Sequence, residues 1–245
     1  MIIAAVGVVF ATWFNARGLE AIDKVGGEPA IKIGHVALEY SKRDIALREP
    51  VTDARERAIL LGTGAADSQR NAVLTRHQRA LLDHADITVV LIGNRTSLRI
   101  VDIEPRVLTR EPVSDGALAF LSTAGEVDTI ELAADLDAPA PRFTTVKDRD
   151  VSYFRKKQID LKWDEPVTLS LSVTGKKWYY EFDFLVTVLA EGRIEKIEVK
   201  APDKGPFRLT GFAGSYRSYY DGTANGDWQP ISQDEACTRR KLEGC

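Results

Sequence analysis

The chain has 245 residues, 44% hydrophobic and 28% charged, a globular mixture that excludes bulk disorder. Its 33 Lys and Arg stand against 36 Asp and Glu, a net charge of −3 that supplies no cationic field for gathering phosphates and argues against nucleic acid as a partner. Two cysteines are too few for a disulfide-rich scaffold or a four-cysteine metal site.

Met1 to Phe14 carries no charged side chain. As a helix rising about 1.5 Å per residue it reaches ~21 Å, short of a ~30 Å hydrocarbon core. No basic residue precedes it and no small-x-small site follows it, so it does not read as a cleaved signal. The lack of a polar stripe favours membrane contact over a buried core helix, and Trp13 with Phe14 sit where an interfacial aromatic belt would lie. Residues 1–24 are therefore expected to form an apolar helix that anchors the chain in a membrane, ended by the breaker cluster Val25-Gly-Gly-Glu-Pro29.

Residues 25–85 read as a linker and helical stalk. Ile31, Ile33, Val36, Leu38 and Tyr40 suggest an extended piece whose phase slips at Gly34. Thr52 to Leu61 predicts a helix with Thr52 as its N-cap, stopped by Gly62 and Gly64. Ala66 to His84 predicts a second, amphipathic helix. After His84 the period changes from about 3.6 to 2, which places the β domain at residues 86–212.

Ile87, Val89 and Leu91, the turn Gly93-Asn94 and the stretch Leu98 to Arg110 predict a hairpin, with Pro105 at a bulge or edge. Ile130 to Leu136 and Val167 to Val173 alternate apolar with polar residues, the mark of a sheet with one wet face. The next long strand puts Trp178, Tyr180, Phe182, Phe184, Val186 and Val188 on its apolar face, with Glu181 and Asp183 on the other. Glu191-Gly192 turns the chain toward Ile197 and Val199, and Pro206 to Gly211 supplies a last strand. Eight or nine short strands without intervening helices argue for a mainly β fold, an antiparallel sandwich of immunoglobulin-like character preceded by N-terminal helical segments.

Five motifs run through this region: Thr52-Asp-Ala-Arg-Glu-Arg57, Val107-Leu-Thr-Arg-Glu-Pro112, Thr129-Ile-Glu-Leu132 with Asp135-Leu-Asp137, Trp178-Tyr-Tyr-Glu-Phe182 and Pro206-Phe-Arg-Leu-Thr210. As a set they resemble a family of uncharacterised actinobacterial proteins with one N-terminal membrane helix and an extracytoplasmic β-rich domain. The resemblance covers roughly Thr52 to Gly211. It implies a single-pass protein of the cell membrane with the β domain outside, and it brings no catalytic residues.

Candidate chemistry is sparse. His77 and His84, on one helix, would lie about 10.5 Å apart along its axis, too far to share a zinc ion, and His35 has no partner in sequence. No G-x-S-x-G elbow occurs. Gly62-Thr-Gly64 imitates a nucleotide-binding turn, but Asp67 stands where that fingerprint needs Gly or Ala. Glu181 and Asp183, about 6.7 Å apart along one strand face, match glycosidase carboxylate spacing; a solvated charged face is the preferred reading, with a cell-envelope hydrolase as the alternative. In the C-terminal tail, residues 213–245, Asp221, Asn225 and Asp227 with Gly226 resemble half of a calcium loop whose closing acid is replaced by Ser232. Tyr216, Tyr219, Tyr220 and Trp228 could stack against a sugar or peptide, or could complete the core, which is the favoured reading. Cys237 and Cys245 could close a small disulfide loop outside the cell. The expected function is a non-catalytic binding or interaction module for a protein or glycan, with calcium as the one cofactor considered and a structural subunit of a membrane assembly as a further alternative.

Overall fold

The computed structural model describes residues 27–38, 44–62, 64–121, 130–145, 148–223 and 227–240. In chain order the strands are β1 (Ile31–Leu38), β2 (Ile45–Leu47), β3 (Ala80–Leu82), β4 (His84–Gly93), β5 (Leu98–Glu111), β6 (Ala117–Phe120), β7 (Ile130–Asp135), β8 (Thr144–Thr145) and β9 (Asp148–Ser152). Then follow β10 (Ile159–Leu161), β11 (Pro166–Thr174), β12 (Tyr179–Ala190), β13 (Arg193–Val199), β14 (Phe207–Thr210), β15 (Tyr219–Gly222) and β16 (Trp228–Ile231). Among the described residues four helices accompany them: α1 (Ala54–Leu61), α2 (Asp67–Arg76), α3 (Tyr153–Lys156) and α4 (Gln233–Arg240). At 49% strand and 15% helix the protein is mainly β.

One sheet runs β1-β4-β11-β7-β8-β9; the other runs β10-β5-β12-β14-β3-β2-β6-β15-β16, with β13 beside β12. Both are mixed, because β11 lies parallel to β7, β14 to β3 and β15 to β6. This corrects the purely antiparallel expectation. β4 and β5 do not form the expected hairpin either: β4 pairs with β1 and β11, whereas β5 pairs with β10 and β12. The reason lies in the link between them. The Asn94 amide donates to Ala30 O (2.8 Å) and its side chain to Pro29 O (2.8 Å), so the Gly93-Asn94 signal turns the chain toward its N-terminal entry and into the other sheet.

The stretch read as linker and stalk supplies β1, β2 and β3, so the sheets begin well before residue 86. The phase slip at Gly34 is a β-bulge, with the register to β4 shifting between Ile33 and His35. A Cβ on Gly34 would come 2.7 Å from Ile92 Cδ1, so a larger residue there requires the Ile92 side chain to shift. The N-cap of α1 is Asp53, one residue past the expected Thr52, and its Oδ1 accepts the Arg55 and Glu56 amides at 2.9 Å. The second helix stops at Arg76. Leu81 is fully buried between Ile45 of β2 and Leu209 of β14, and that burial converts the end of the expected helix into a strand. Residues 1–24 lie outside the described residues, and no helix among those described is long and apolar enough to cross a membrane.

One buried cluster draws on both sheets, with Ile87, Val89, Leu169 and Leu171 from the first and Phe182, Phe184, Val186 and Leu209 from the second. Its centre is aromatic: Phe182, Phe184 and Phe207 approach one another at 5.1–5.8 Å between ring centroids, and Phe143 stands 5.6 Å from Phe184. Of the expected inward set of β12, Tyr180, Phe182, Phe184, Val186 and Val188 are buried. Trp178 corrects the expectation: it precedes the strand and is 46% exposed. The β12–β13 turn forms as expected, with Glu191 (φ 51°) and Gly192 (φ 75°) both left-handed, as a type I′ hairpin requires.

Candidate functional site

A cleft of about 1150 Å³ opens on the outer face of the six-stranded sheet. Alternation builds it. Ala85 and Ile87, Leu171 and Val173, and Leu132 are buried, which leaves His84 and Asp86, Ser170, Ser172 and Thr174, and Ala133 and Asp135 to line the opposite face. Thr144, Ser152, Phe154 and Arg155 from β8, β9 and α3 add a wall, and Ala138 and Ala140 keep it open because they fill little space. The β4–β11 register sets Asp86 opposite Ser172 and His84 opposite Thr174.

Three of these side chains meet. His84 Nε2 lies 2.6 Å from Asp86 Oδ1; Ser172 Oγ donates to that oxygen at 2.8 Å and stands 3.0 Å from His84 Nε2. A hydrolytic triad needs one imidazole nitrogen facing the serine and the other facing the carboxylate. Here a single nitrogen faces both, and the serine proton points at the carboxylate. The arrangement offers donors and acceptors to a ligand. Asp102 of β5 lines the same cleft, and its Oδ1 is buried with no hydrogen-bond partner. Arg142, also in the lining, is held by an ion pair with Glu104.

The sequence pattern puts His84 at the end of a helix. In the structure it begins a strand, and the signals that could have exposed the cluster are the in-phase pair His84 and Asp86 and the in-phase hydroxyls Ser170, Ser172 and Thr174. His77, the C-cap of α2, bonds Glu56 at 2.7 Å; that hydrogen bond chiefly holds the Glu56 carboxyl below its ordinary value.

Glu181 and Asp183 are not brought to the cleft. Asp183 is 1% exposed, which corrects its placement on a wet face, and Arg106 grips it with Nε–Oδ1 2.9 Å and Nη2–Oδ2 2.6 Å. The same guanidinium reaches Glu198 and, by that hydrogen bond first of all, holds its carboxyl low. Glu181 accepts from Arg208 Nε at 2.9 Å and from Tyr179 Oη at 3.2 Å. The carboxylates belong to a cross-strand ion-pair network over the ten-stranded sheet, because β5, β13 and β14 place arginine and glutamate beside them.

The stacking-platform reading of the C-terminal aromatics is corrected too: Tyr216, Tyr219, Tyr220 and Trp228 are 4–8% exposed. Tyr220 and Trp228 join the main core at 5.3 Å between rings, while Tyr216 and Tyr219 pack with Leu118, Phe120 and Ala236 in a second cluster. Their hydroxyls are spent on backbone, Tyr216 Oη accepting the Ala213 amide and Tyr219 Oη the Tyr216 amide, both at 3.0 Å. Burial pushes the Tyr216 hydroxyl well above its ordinary pKa. Asp227, 4% exposed, is ion-paired with Arg70 of α2. Asp221 pairs in β15, and Asn225 lies outside the described residues. No group of three metal-ligating side chains occurs among the described residues. Cys237 sits on α4 and no described cysteine is free, whereas Cys245 lies outside the described residues.

Comparison with protein-family models, with curated proteins and with solved structures returns no match to this chain.

Proposed function

We propose that the chain is a non-catalytic binding module tethered to the cell membrane through residues 1–24, its β domain extracytoplasmic and its two sheets stacked as a sandwich of immunoglobulin-like character. The cleft on the six-stranded sheet takes a hydroxyl-rich ligand such as a glycan. One observation carries this reading: a concave surface lined by the hydroxyls of Ser170, Ser172, Thr174 and Thr144 and the carboxylates of Asp86 and Asp135. A polyol can share the serine and threonine hydroxyls as both donor and acceptor and donate to the carboxylates.

Two alternatives lose their motivation. A hydrolase built on Glu181 and Asp183 would need carboxylates in a cleft, and both are committed to arginines. A structural subunit docking through the helices before His84 would show apolar surface there, and none of the six exposed large apolar side chains among the described residues lies on α1 or α2. The test is a glycan-array screen of the full chain in detergent, followed by titration of a hit. Asp86→Asn and Ser172→Ala are expected to weaken binding at least ~10-fold, about 1.4 kcal/mol. Turnover of the hit, abolished by Ser172→Ala, would replace the binding reading with an enzymatic one.

A further inference from the structure

Four stretches of chain converge at one end of the domain. The entry at residues 27–30 is tied to the β4–β5 link by Asn94 N–Ala30 O (2.8 Å) and to β13 by Ala30 N–Glu195 Oε2 (2.9 Å). The β10–β11 turn is tied to β4 through Asp164 N–Gly93 O (2.9 Å) and Gly93 N–Glu165 O (3.0 Å). The tip of the β12–β13 hairpin reaches the same end, since Ala190 pairs with Leu98 and Leu98 with Leu161.

Of the six exposed large apolar side chains among the described residues, four lie here: Trp163 (61%), Ile194 (65%), Leu189 (40%) and Ile33 (42%). Leu189 and Ile194 face each other across the hairpin. Trp178, by contrast, precedes the opposite end of β12, roughly 40 Å away along a strand of this length. Lys32 pairs with Glu28, and Arg95 and Arg193 share Glu191; with Lys162, Lys196, Asp164, Glu165 and Glu195 counted, five cations at this end balance five carboxylates. The end therefore offers apolar and aromatic surface without a net field.

We propose that this end of the domain rests on the lipid bilayer, with Trp163 seated in the interfacial layer. The inference builds on the tethered reading above. The uncharged run ends at Phe14 and the described chain starts at Gly27, so the intervening residues span at most about 40 Å and deliver this end toward the anchor. Tryptophan prefers the headgroup level, where its ring is buried and its N–H stays wet. Lys32, its ammonium 5.9 Å from the Trp163 ring centroid, can lie along the ring and keep its charge in water.

The test uses the full chain in phosphatidylcholine vesicles whose acyl chains are brominated near the headgroup, in a Trp13→Phe background so that the anchor contributes no signal. Tryptophan quenching is expected to fall by more than half in Trp163→Phe, to persist in Trp178→Phe, and to be unchanged by 1 M salt, because no net charge drives the contact. Protein that floats with the vesicles but shows equal quenching with and without Trp163 overturns this inference and leaves the tether standing. Protein that fails to float overturns both. Trp163 emission that shifts with protein concentration in the absence of lipid would give the surface to a second copy of the chain and overturn it as well.

Discussion

Alanine at position 183 measures whether the outer face of β12 is wet or structural. Asp183 is 1% exposed and receives two charge-assisted hydrogen bonds from Arg106, at 2.9 and 2.6 Å. Removing one partner of a fully buried pair costs about 3–5 kcal/mol, because the survivor is stranded without solvation. Arg106 is 39% exposed on its side chain and keeps Glu198, so it is not stranded, and the expected loss falls to about 2–3 kcal/mol. Phe182→Ala serves as the reference: the ring is fully buried between Phe184 and Phe207 on paired strands that cannot collapse into the gap, which places its cost at about 4–5 kcal/mol. Urea denaturation at pH 7, with m compared across variants, reads both. Arg106→Ala completes a double-mutant cycle, with a coupling of at least about 1 kcal/mol expected. A loss below about 1 kcal/mol for Asp183→Ala would refute the reasoning, since it would mean that the carboxylate keeps its water in the folded state.

Arg70→Met should cost about 3–5 kcal/mol by leaving Asp227 buried and unpaired, and Arg70→Met combined with Asp227→Leu should recover most of that loss in the same denaturation assay. Tyr216→Phe should cost about 1–2 kcal/mol by orphaning the buried Ala213 amide while leaving glycan titration unchanged; weakened binding would restore the stacking-platform reading. Asp83→Asn should stabilise the protein at pH 7. Burial raises the Asp83 carboxyl above its ordinary value, so the unfolded state releases this proton first, and the folded state is penalised as pH climbs through the carboxylate range and stays penalised above it. Asparagine tolerates the left-handed φ of 60° and carries no charge to desolvate. The gain should vanish as pH falls below the ordinary carboxylate value, and thermal unfolding between pH 3 and 7 that shows it growing in acid would contradict the assignment.

What could be read from the sequence was whatever depends on near neighbours. Period-2 alternation placed Leu169, Leu171 and Val173, and Phe182, Phe184 and Val186, on the buried faces where they lie, because a strand with one packed face imposes that pattern locally. The same logic misplaced Asp183: β12 is paired on both sides, and its second face is closed over by Arg106, Glu198 and Arg208, none of which lies near it in sequence. The stretch Ala80–Leu82 looked helical because its leucines continue the spacing of α2. Pairing on both sides with Ile45 and Leu209 outweighed that weak preference.

The cleft escaped notice for a related reason. His84, Asp86 and Ser172 are ordinary residues at ordinary spacings, and Ser172 is separated from His84 by 88 positions. They become a site only because Asp83, at φ 60°, ends β3 and starts β4 in the other sheet. There the Asp83 carbonyl accepts the Gly175 amide at 3.1 Å and its amide donates to Thr210 O at 2.8 Å. The first bond ties the start of β4 to the end of β11, which holds Thr174 against His84 and Ser172 against Asp86, and the second ties it to the end of β14. The residue that carries this crossing is the same one whose carboxylate is buried with an unpartnered oxygen. An aspartate tolerates the left-handed backbone better than most side chains, so the desolvation cost at Asp83 is bound up with the turn that aligns the cleft. Stabilising position 83 by Asp83→Asn should therefore leave ligand binding intact, because the backbone bonds that set the register do not involve its side chain.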